Sequence, residues 1–349
     1  MGSHFIEIPN TVRIKPGALG RVGIYLARQE LRRVLLVRSH ELVPDFVARL
    51  KTSLANAGIE LLGDSEVTEA SVEFTVQLLG ALPRGTQAIV GLGGGKALDV
   101  GKYLASLSGP SYFAVPTSLS NDGFCSPQAS LTLCGQRKSL PTKLPDAVIV
   151  DTTISLSAHI SLWCSGVGDL VAKLTAIRDW QLAFHACETP VNDPAALMSD
   201  ASVHQFMGRP TRDPEGIQLL ATALMLNGVA MEIAGSSRPA SGSEHLISHA
   251  LDHITTRPRL HGLQVGVATY LMSRLQQNHS DVIAGIFQQT GFWELIRQDP
   301  FCKREWLEAV RQAPSIKDDF YTILSERDQT TEVERLIEED SHLRGCFTD

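Results

Sequence analysis

The strongest constraint on the fold lies between Ala88 and Lys102. The apolar run Ala88-Ile89-Val90 reads as a buried strand, and the segment that follows it, GLGGGKALDVGK from Gly91 to Lys102, opens a helix-like pattern. Three consecutive glycines, Gly93, Gly94 and Gly95, leave backbone N–H groups bare where that helix begins. Unpaired N–H groups and the helix dipole both favour negative charge there, and glycine lets a phosphate approach the backbone closely. The expected ligand is a dinucleotide pyrophosphate. The spacing departs from G-x-G-x-x-G and lacks the Lys-Ser/Thr pair of a P-loop, so the loop alone also fits a ligand-free strand-to-helix turn.

The residues around the loop predict its setting. Val34–Val37, Ile59–Leu62, Ala88–Gly91, Tyr112–Val115 and Ala147–Val150 read as strands, and Val43–Ala57 and Ser71–Leu82 as helices. Ala129–Leu133 reads as one arm of a hairpin with the segment after Gly135. Strands alternating with helices predict a doubly wound, mostly parallel, Rossmann-like α/β domain over residues 1–152. Ligands of such sheets lie at the carboxyl ends of the strands, where Gly93–Gly95 and Thr117–Asp122 both fall. From Thr153 onward the periodic segments are helical, notably 167–184, 217–233, 243–254 and 263–276. They predict an all-α C-terminal domain over residues 153–349, with a site in the cleft between the halves.

Composition narrows the class. The chain has 349 residues, long enough for two domains, with 43% hydrophobic and 20% charged residues, as in globular proteins. A net charge of −7 without a basic block argues against nucleic acid as a partner. The sequence shows no uninterrupted apolar run of membrane-spanning length and no signal-peptide core, which predicts no membrane partner and a cytoplasmic location. Six scattered cysteines without a C-x-x-C pair fit reduced thiols. The opening Met1-Gly2-Ser3-His4 is set aside from fold reasoning, and Ile6 stands where a myristoylation signal needs Ser or Thr.

The helical half concentrates acids and histidines in three places. Asp169 lies in SGVGDLVAK (165–173), read as near a helix start, where an Asp can simply cap a helix or oppose its dipole. In SEHLISHALDH (243–253), His245, His249 and His253 recur every four residues. Each such step rotates by about 40° on a helix, so His245 and His249 share a face and His253 turns away. A buried imidazole needs a partner. His261 precedes Gly262 and Gly266, which thin one helix face for close approach to another helix or a ligand. One Asp and two separated histidines make a three-ligand set with open positions, the pattern of a catalytic metal site. Such an ion polarises an alcohol or carbonyl oxygen, and a dinucleotide beside it makes hydride transfer the natural chemistry.

Five ordered blocks carry a resemblance: GLGGGKALDVGK, VPTSLSNDGFCSP (115–127), GVGDLVAKLTAIRDWQLA (166–183), SGSEHLISHALD (241–252) and HGLQVGV (261–267). Together they resemble the sn-glycerol-1-phosphate dehydrogenase family, within the iron-containing alcohol dehydrogenase and dehydroquinate synthase-like superfamily, from about residue 10 to residue 280. The resemblance implies a dehydroquinate synthase-like fold and NAD(H)- or NADP(H)-linked interconversion of dihydroxyacetone phosphate and sn-glycerol 1-phosphate, or of a related polyol phosphate. It implies cofactor contacts from Gly93, Gly94, Gly95, Lys96, Ala97, Leu98, Asp99, Thr117, Ser118, Leu119, Ser120 and Ser126. Asp169, His245 and His261 would hold one divalent metal, zinc in this branch and nickel or iron in relatives. Asp122, His249 and the metal ligand Asp169 would meet substrate, with a proton relay through His249 or Asp122. The family also implies a homo-oligomer, a dimer or larger.

Departures from the family pattern leave questions open. Leu263 stands where the family often has Glu, a candidate support for the metal histidine. Arg38-Ser39-His40 stands where an NAD-selective enzyme often places an acid, so a 2′-phosphate could be tolerated. The group that anchors substrate phosphate is open among Lys143, Lys173, Arg257 and Arg259. A dehydroquinate synthase-like cyclase and a non-catalytic relative are the alternatives.

Overall fold

The computed structural model describes residues 6–349; Met1–His4 and Phe5 lie outside the described residues. Contacts divide the chain into two compact units, one ending at Ala158 and the other beginning at His159.

The first unit runs β1 (Thr11–Lys15), α1 (Val22–Arg28), β2 (Arg33–Ser39), α2 (Pro44–Asn56), β3 (Glu60–Val67), α3 (Val72–Gly80), β4 (Ala88–Gly93), α4 (Gly95–Ser108) and β5 (Ser111–Pro116). It continues through β6 (Gln128–Leu133), β7 (Gln136–Pro141), β8 (Ala147–Asp151) and α5 (Thr152–Ser157). Six strands form one all-parallel sheet in the order β1-β8-β5-β4-β2-β3, while β6 and β7 pair as the antiparallel hairpin expected from sequence.

Alternation along the strands feeds two cores. Val34 and Leu36 of β2 pack under α1 and α2 with Leu26, Leu50 and Leu54. Leu35 and Val37 point to the opposite face, under α3 and α4 with Ala97, Val100 and Leu104. β2 connects outward to β3, whereas β4 connects to β5 on its other side, so the direction of winding reverses between β2 and β4. The crevice outside the carboxyl ends of two such strands is where doubly wound sheets bind ligands. Asp151, 1% exposed, closes the far side: its carboxylate accepts from the Gly17, Leu19 and Thr153 N–H groups and meets Arg49. α5 packs on β1 and β8 and so stays with the sheet.

The second unit contains α6 (Ile160–Val171), α7 (Lys173–Cys187), α8 (Asp193–Met207), α9 (Pro214–Ala234), α10 (Ser243–Ile254), α11 (His261–Leu275), α12 (Ser280–Thr290) and α13 (Phe292–Gln298). It ends with β9 (Phe301–Cys302), α14 (Lys303–Gln312), α15 (Ile323–Glu326), α16 (Thr330–Glu339) and β10 (Phe347–Thr348). β9 and β10 pair in parallel, which corrects the all-helical expectation in one small place. Two-residue strands leave no alternation to read.

A second correction concerns α6. Its helix begins at Ile160, not near Asp169, so Asp169 falls in the last turn. A carboxylate there, more than two turns past the helix start, cannot be an N-terminal cap. By length and composition, 160–187 and 214–234 could each cross a membrane, although polar residues interrupt both. Within the unit, 78% of the first apolar window is buried, as expected of a core helix.

Candidate active site

In the first unit, the glycine loop sits at the reversal between β2 and β4. Gly93 adopts φ +140°, and a Cβ there would lie 2.1 Å from Ser39 Oγ, so only glycine fits. Ser39 Oγ accepts a hydrogen bond from the Gly94 N–H at 3.0 Å, which fixes the loop against the end of β2. Gly94 is the N-cap of α4 and offers no side-chain cap, leaving first-turn N–H groups without an intrahelical partner. A Cβ on Gly94 or Gly95 would meet no atom within 4 Å, so open space lies over the helix start. The arrangement fits a pyrophosphate.

The residues expected around the cofactor divide by burial. Lys96 is exposed, Ala97 and Leu98 point into the core, and the Leu98 carbonyl accepts from Tyr112 Oη at 2.8 Å. Thr117 is tied back to the loop, its N–H donating to Gly93 O at 3.0 Å. Leu119 is 3% exposed, while Ser118 and Ser120 are half-buried. Asn121 caps the short 3-10 turn Asp122–Cys125 by accepting from the Gly123 N–H. Asp99 and Ser126 are both buried and share Lys102 as a neighbour.

Arg38 and His40 do not stand as a free basic pair. Arg38 reaches Asp64 at 2.7 Å and Glu66 at 2.5 Å, and His40 lies 3.4 Å from Glu66. Any 2′-phosphate would compete with carboxylates for these groups.

In the second unit, helices α6, α10 and α11 bring together Asp169, His245 and His261, whose ligand atoms all lie within 4.8 Å of one another. His245 Nε2 is 3.4 Å and His261 Nε2 is 4.0 Å from Asp169 Oδ1. Around a tetrahedral ion bound at about 2.1 Å, ligand atoms stand about 3.4 Å apart, so the cluster is close to closing on one ion. Glycines make the approach available. A Cβ on Gly168 would fall 2.1 Å from Gly262 O, and one on Gly262 would fall 1.9 Å from Ser165 O. The thin face expected at Gly262 and Gly266 therefore serves the contact of α11 with α6.

The outer partners point both imidazoles the same way. His245 Nδ1 lies 2.8 Å from Glu244 Oε1, and Glu244 is held in turn by the Thr175 hydroxyl and the Gly242 N–H. His261 Nδ1 lies 3.0 Å from Ser248 Oγ, whose hydroxyl donates to Gln264 Oε1 at 2.8 Å. With both Nδ1 atoms engaged, both Nε2 lone pairs face the cluster, as metal-binding histidines require. Leu263 is buried, and Ser248 with Gln264 supplies the support for which the family's Glu was a candidate. Glu244 went unnoticed in the sequence, although its place beside His245 was visible.

Electrostatics agree with a cation site. Burial pushes the Asp169 carboxyl up, but Lys173, His245 and His261 outweigh it and hold it well below the usual carboxylate range. Burial lowers the His245 imidazole, and Asp169 with Glu244 reverses that and raises it. The His249 ring lies 5.8 Å from His261, whereas His253 is exposed, as its rotation predicted. The four open candidates for a phosphate anchor are all engaged: Lys143 with Glu7, Lys173 with Ala240 O and Asp169, and Arg257 and Arg259 with Asp299.

Comparison with known proteins decides the family. A glycerol-1-phosphate dehydrogenase [NAD(P)+] from Aeropyrum pernix is 35% identical over 338 residues, covering 94% of this chain and 95% of its own. The chain belongs to the glycerol-1-phosphate dehydrogenase family. A glycerol-1-phosphate dehydrogenase [NAD(P)+] from Korarchaeum cryptofilum is 42% identical over 248 residues, covering 67% of this chain and 74% of its own. The sequence model for iron-containing alcohol dehydrogenase matches residues 13–158. The structure of glycerol dehydrogenase from Schizosaccharomyces pombe superposes with a TM-score of 0.78 at 16% identity, covering 99% of this chain and 92% of that one, which shows a common fold. An alignment of 338 residues necessarily runs past residue 280, so the C-terminal helices belong to the family too, contrary to the shorter span read from motifs.

Proposed function

We propose that the protein is an NAD(P)H-linked, metal-dependent oxidoreductase that interconverts dihydroxyacetone phosphate and sn-glycerol 1-phosphate by hydride transfer at C2. The observation that carries the reading is the Asp169–His245–His261 cluster in a chain whose relatives are glycerol-1-phosphate dehydrogenases. A divalent ion bound there supplies Lewis acidity toward the C2 oxygen. Two imidazoles and a carboxylate suit zinc, with iron and nickel as the alternatives that metal analysis separates.

The chain's own residues do the rest. The start of α4 at Gly95 presents its backbone N–H groups to the pyrophosphate, and Gly93 and Gly94 leave the space for it. Thr117, Ser120 and Ser126 line the cofactor, and Asp122 orients substrate. His249, beside His261, or Asp122 passes a proton through water to the C2 oxygen as the hydride reaches C2. The net charge of −7 and the free cysteines suit a cytoplasmic enzyme of small molecules, and the family resemblance implies a homo-oligomer. A cyclase of the dehydroquinate synthase type would return its hydride within each turnover. Oxidation of NADH and NADPH with dihydroxyacetone phosphate, beside dihydroxyacetone and glycerol, tests the reading. Turnover with the phosphate ester giving the sn-1 enantiomer supports it; no net cofactor oxidation on metal-loaded protein overturns it.

A further inference from the structure

We infer that Lys102 is a positioning residue that fastens the Asn121–Ser126 loop to the glycine-loop helix α4, so that the cofactor-binding and substrate-binding groups of the first unit act from one frame. The inference rests on the roles proposed above for Asp122 and Ser126.

Lys102 is 2% exposed and lies one helical turn beyond Asp99. Burying an ammonium is costly unless each donor finds a partner. Lys102 Nζ donates to Gly123 O at 2.6 Å, to Ser126 O at 3.0 Å and to Ser126 Oγ at 3.1 Å. Asp99 Oδ1 stands 3.6 Å away and supplies the opposite charge. One side chain therefore uses its three donors on a single loop and leans on the acid of its own helix.

Packing alone does not call for lysine here. A methionine would fill the same length in the core of the unit and satisfy none of those oxygens. Within the loop, Asn121 accepts from the Gly123 N–H, and the Ser126 hydroxyl donates to Gln128 O at 2.9 Å. The ammonium thus sets the distance between Asp99 and the turn that carries Asp122. Hydride transfer is sensitive to such placement, since a displacement of about 1 Å can cost about 100-fold in rate.

Lys102→Met tests this, with Cys125 as a native reporter. Cys125 lies in the fastened loop, is 0% exposed and is a free thiol, so its alkylation, located by mass spectrometry, reads loop opening. The expected variant keeps its bound metal and melts near the wild-type temperature. Its Cys125 is alkylated about 10-fold faster or more, as for the loss of a charge-assisted hydrogen bond, and NADH restores the shielding. Its kcat falls by about 10- to 100-fold and its KM for cofactor rises. Lys102→Gln, which keeps an amide donor, falls between the two.

Cys125 shielded as in wild type, or kcat and cofactor KM both unchanged, overturns the inference. Failure of both variants to fold also overturns it, because Lys102 would then serve the fold alone. Asp122→Asn leaves Gly123 O, Ser126 O and Ser126 Oγ in place as acceptors for Lys102 and separates the two readings. If that variant turns over normally while Lys102→Met behaves as expected, the role of Asp122 falls and the fastening stands.

Discussion

Glu244 Oε1 lies 2.8 Å from His245 Nδ1, and both side chains are buried. The carboxylate fixes the imidazole with Nε2 toward Asp169 and raises its basicity as a ligand. Losing such an outer partner weakens metal binding by about 10- to 100-fold. Glu244→Ala is therefore expected to lose affinity by that order in a competition titration against a chromogenic chelator. Glu244→Gln, whose amide oxygen can still accept from Nδ1–H, should lose less. Equal affinity in all three proteins would dismiss the role.

Gly168 tests the helix crossing that assembles the site. Alanine there would place its Cβ 2.1 Å from the Gly262 carbonyl oxygen, a backbone atom that a side-chain rotation cannot move aside. The expected Gly168→Ala protein loses about 1–3 kcal/mol of stability or more, as for overpacking of a close contact. It also binds metal more weakly, because Asp169 and His261 sit on the two helices forced apart. Denaturant unfolding and metal analysis check both effects. Gly285→Ala is the control, since its Cβ would meet nothing within 4 Å.

The glycine loop and the sheet were legible in the sequence because buried parallel strands write themselves as short apolar runs, as at Val34–Val37 and Ala147–Val150. The candidate metal cluster was legible because His245 and His249 repeat at helical spacing, and because blocks around Asp169 and His261 match a known family. The start of α6 was not. Gly166 and Gly168 look like helix breakers, yet the helix runs through them from Ile160, and Gly168 lies where α11 crosses. Glu244 was not legible because a contact with the next residue in the chain leaves no spacing of three or four to mark it. Lys102 escaped because its partners lie more than 20 residues away in a loop with no periodicity.

Asp179 should give stability a pH dependence. Burial, with Glu244 adding to it, pushes its carboxyl up to about 7, although the Ser243 and Ile323 N–H groups that it accepts from pull the other way. The folded chain thus holds a proton that the unfolded chain releases near pH 4. Between those two values stability falls as pH rises, and above about 7 this contribution is flat. Compared with Asp179→Asn, which cannot titrate, the wild-type melting temperature should gain as pH is lowered from 8 to 5.5. A wild-type-minus-variant difference that stays constant over that range would refute the assignment.

Asp151 offers a test of the first unit alone. Its carboxylate serves three backbone N–H groups, one hydroxyl and one guanidinium while nearly fully buried. Asp151→Ala strands those donors and is expected to cost about 3–5 kcal/mol, the range for breaking a buried charge pair. The proposed metal ligands Asp169, His245 and His261 belong to the other unit, so metal content in the folded fraction should be unchanged.

The most direct test of the central claim is to strip the metal with a chelator and follow bound metal and dihydroxyacetone phosphate-dependent NAD(P)H oxidation together as a divalent ion is returned, in wild type and in His261→Ala. The account expects turnover to rise linearly with metal and to saturate at one ion per chain, with His261→Ala retaining neither ion nor turnover. Turnover by fully metal-free protein, or a His261→Ala protein that binds and reacts like wild type, would contradict it.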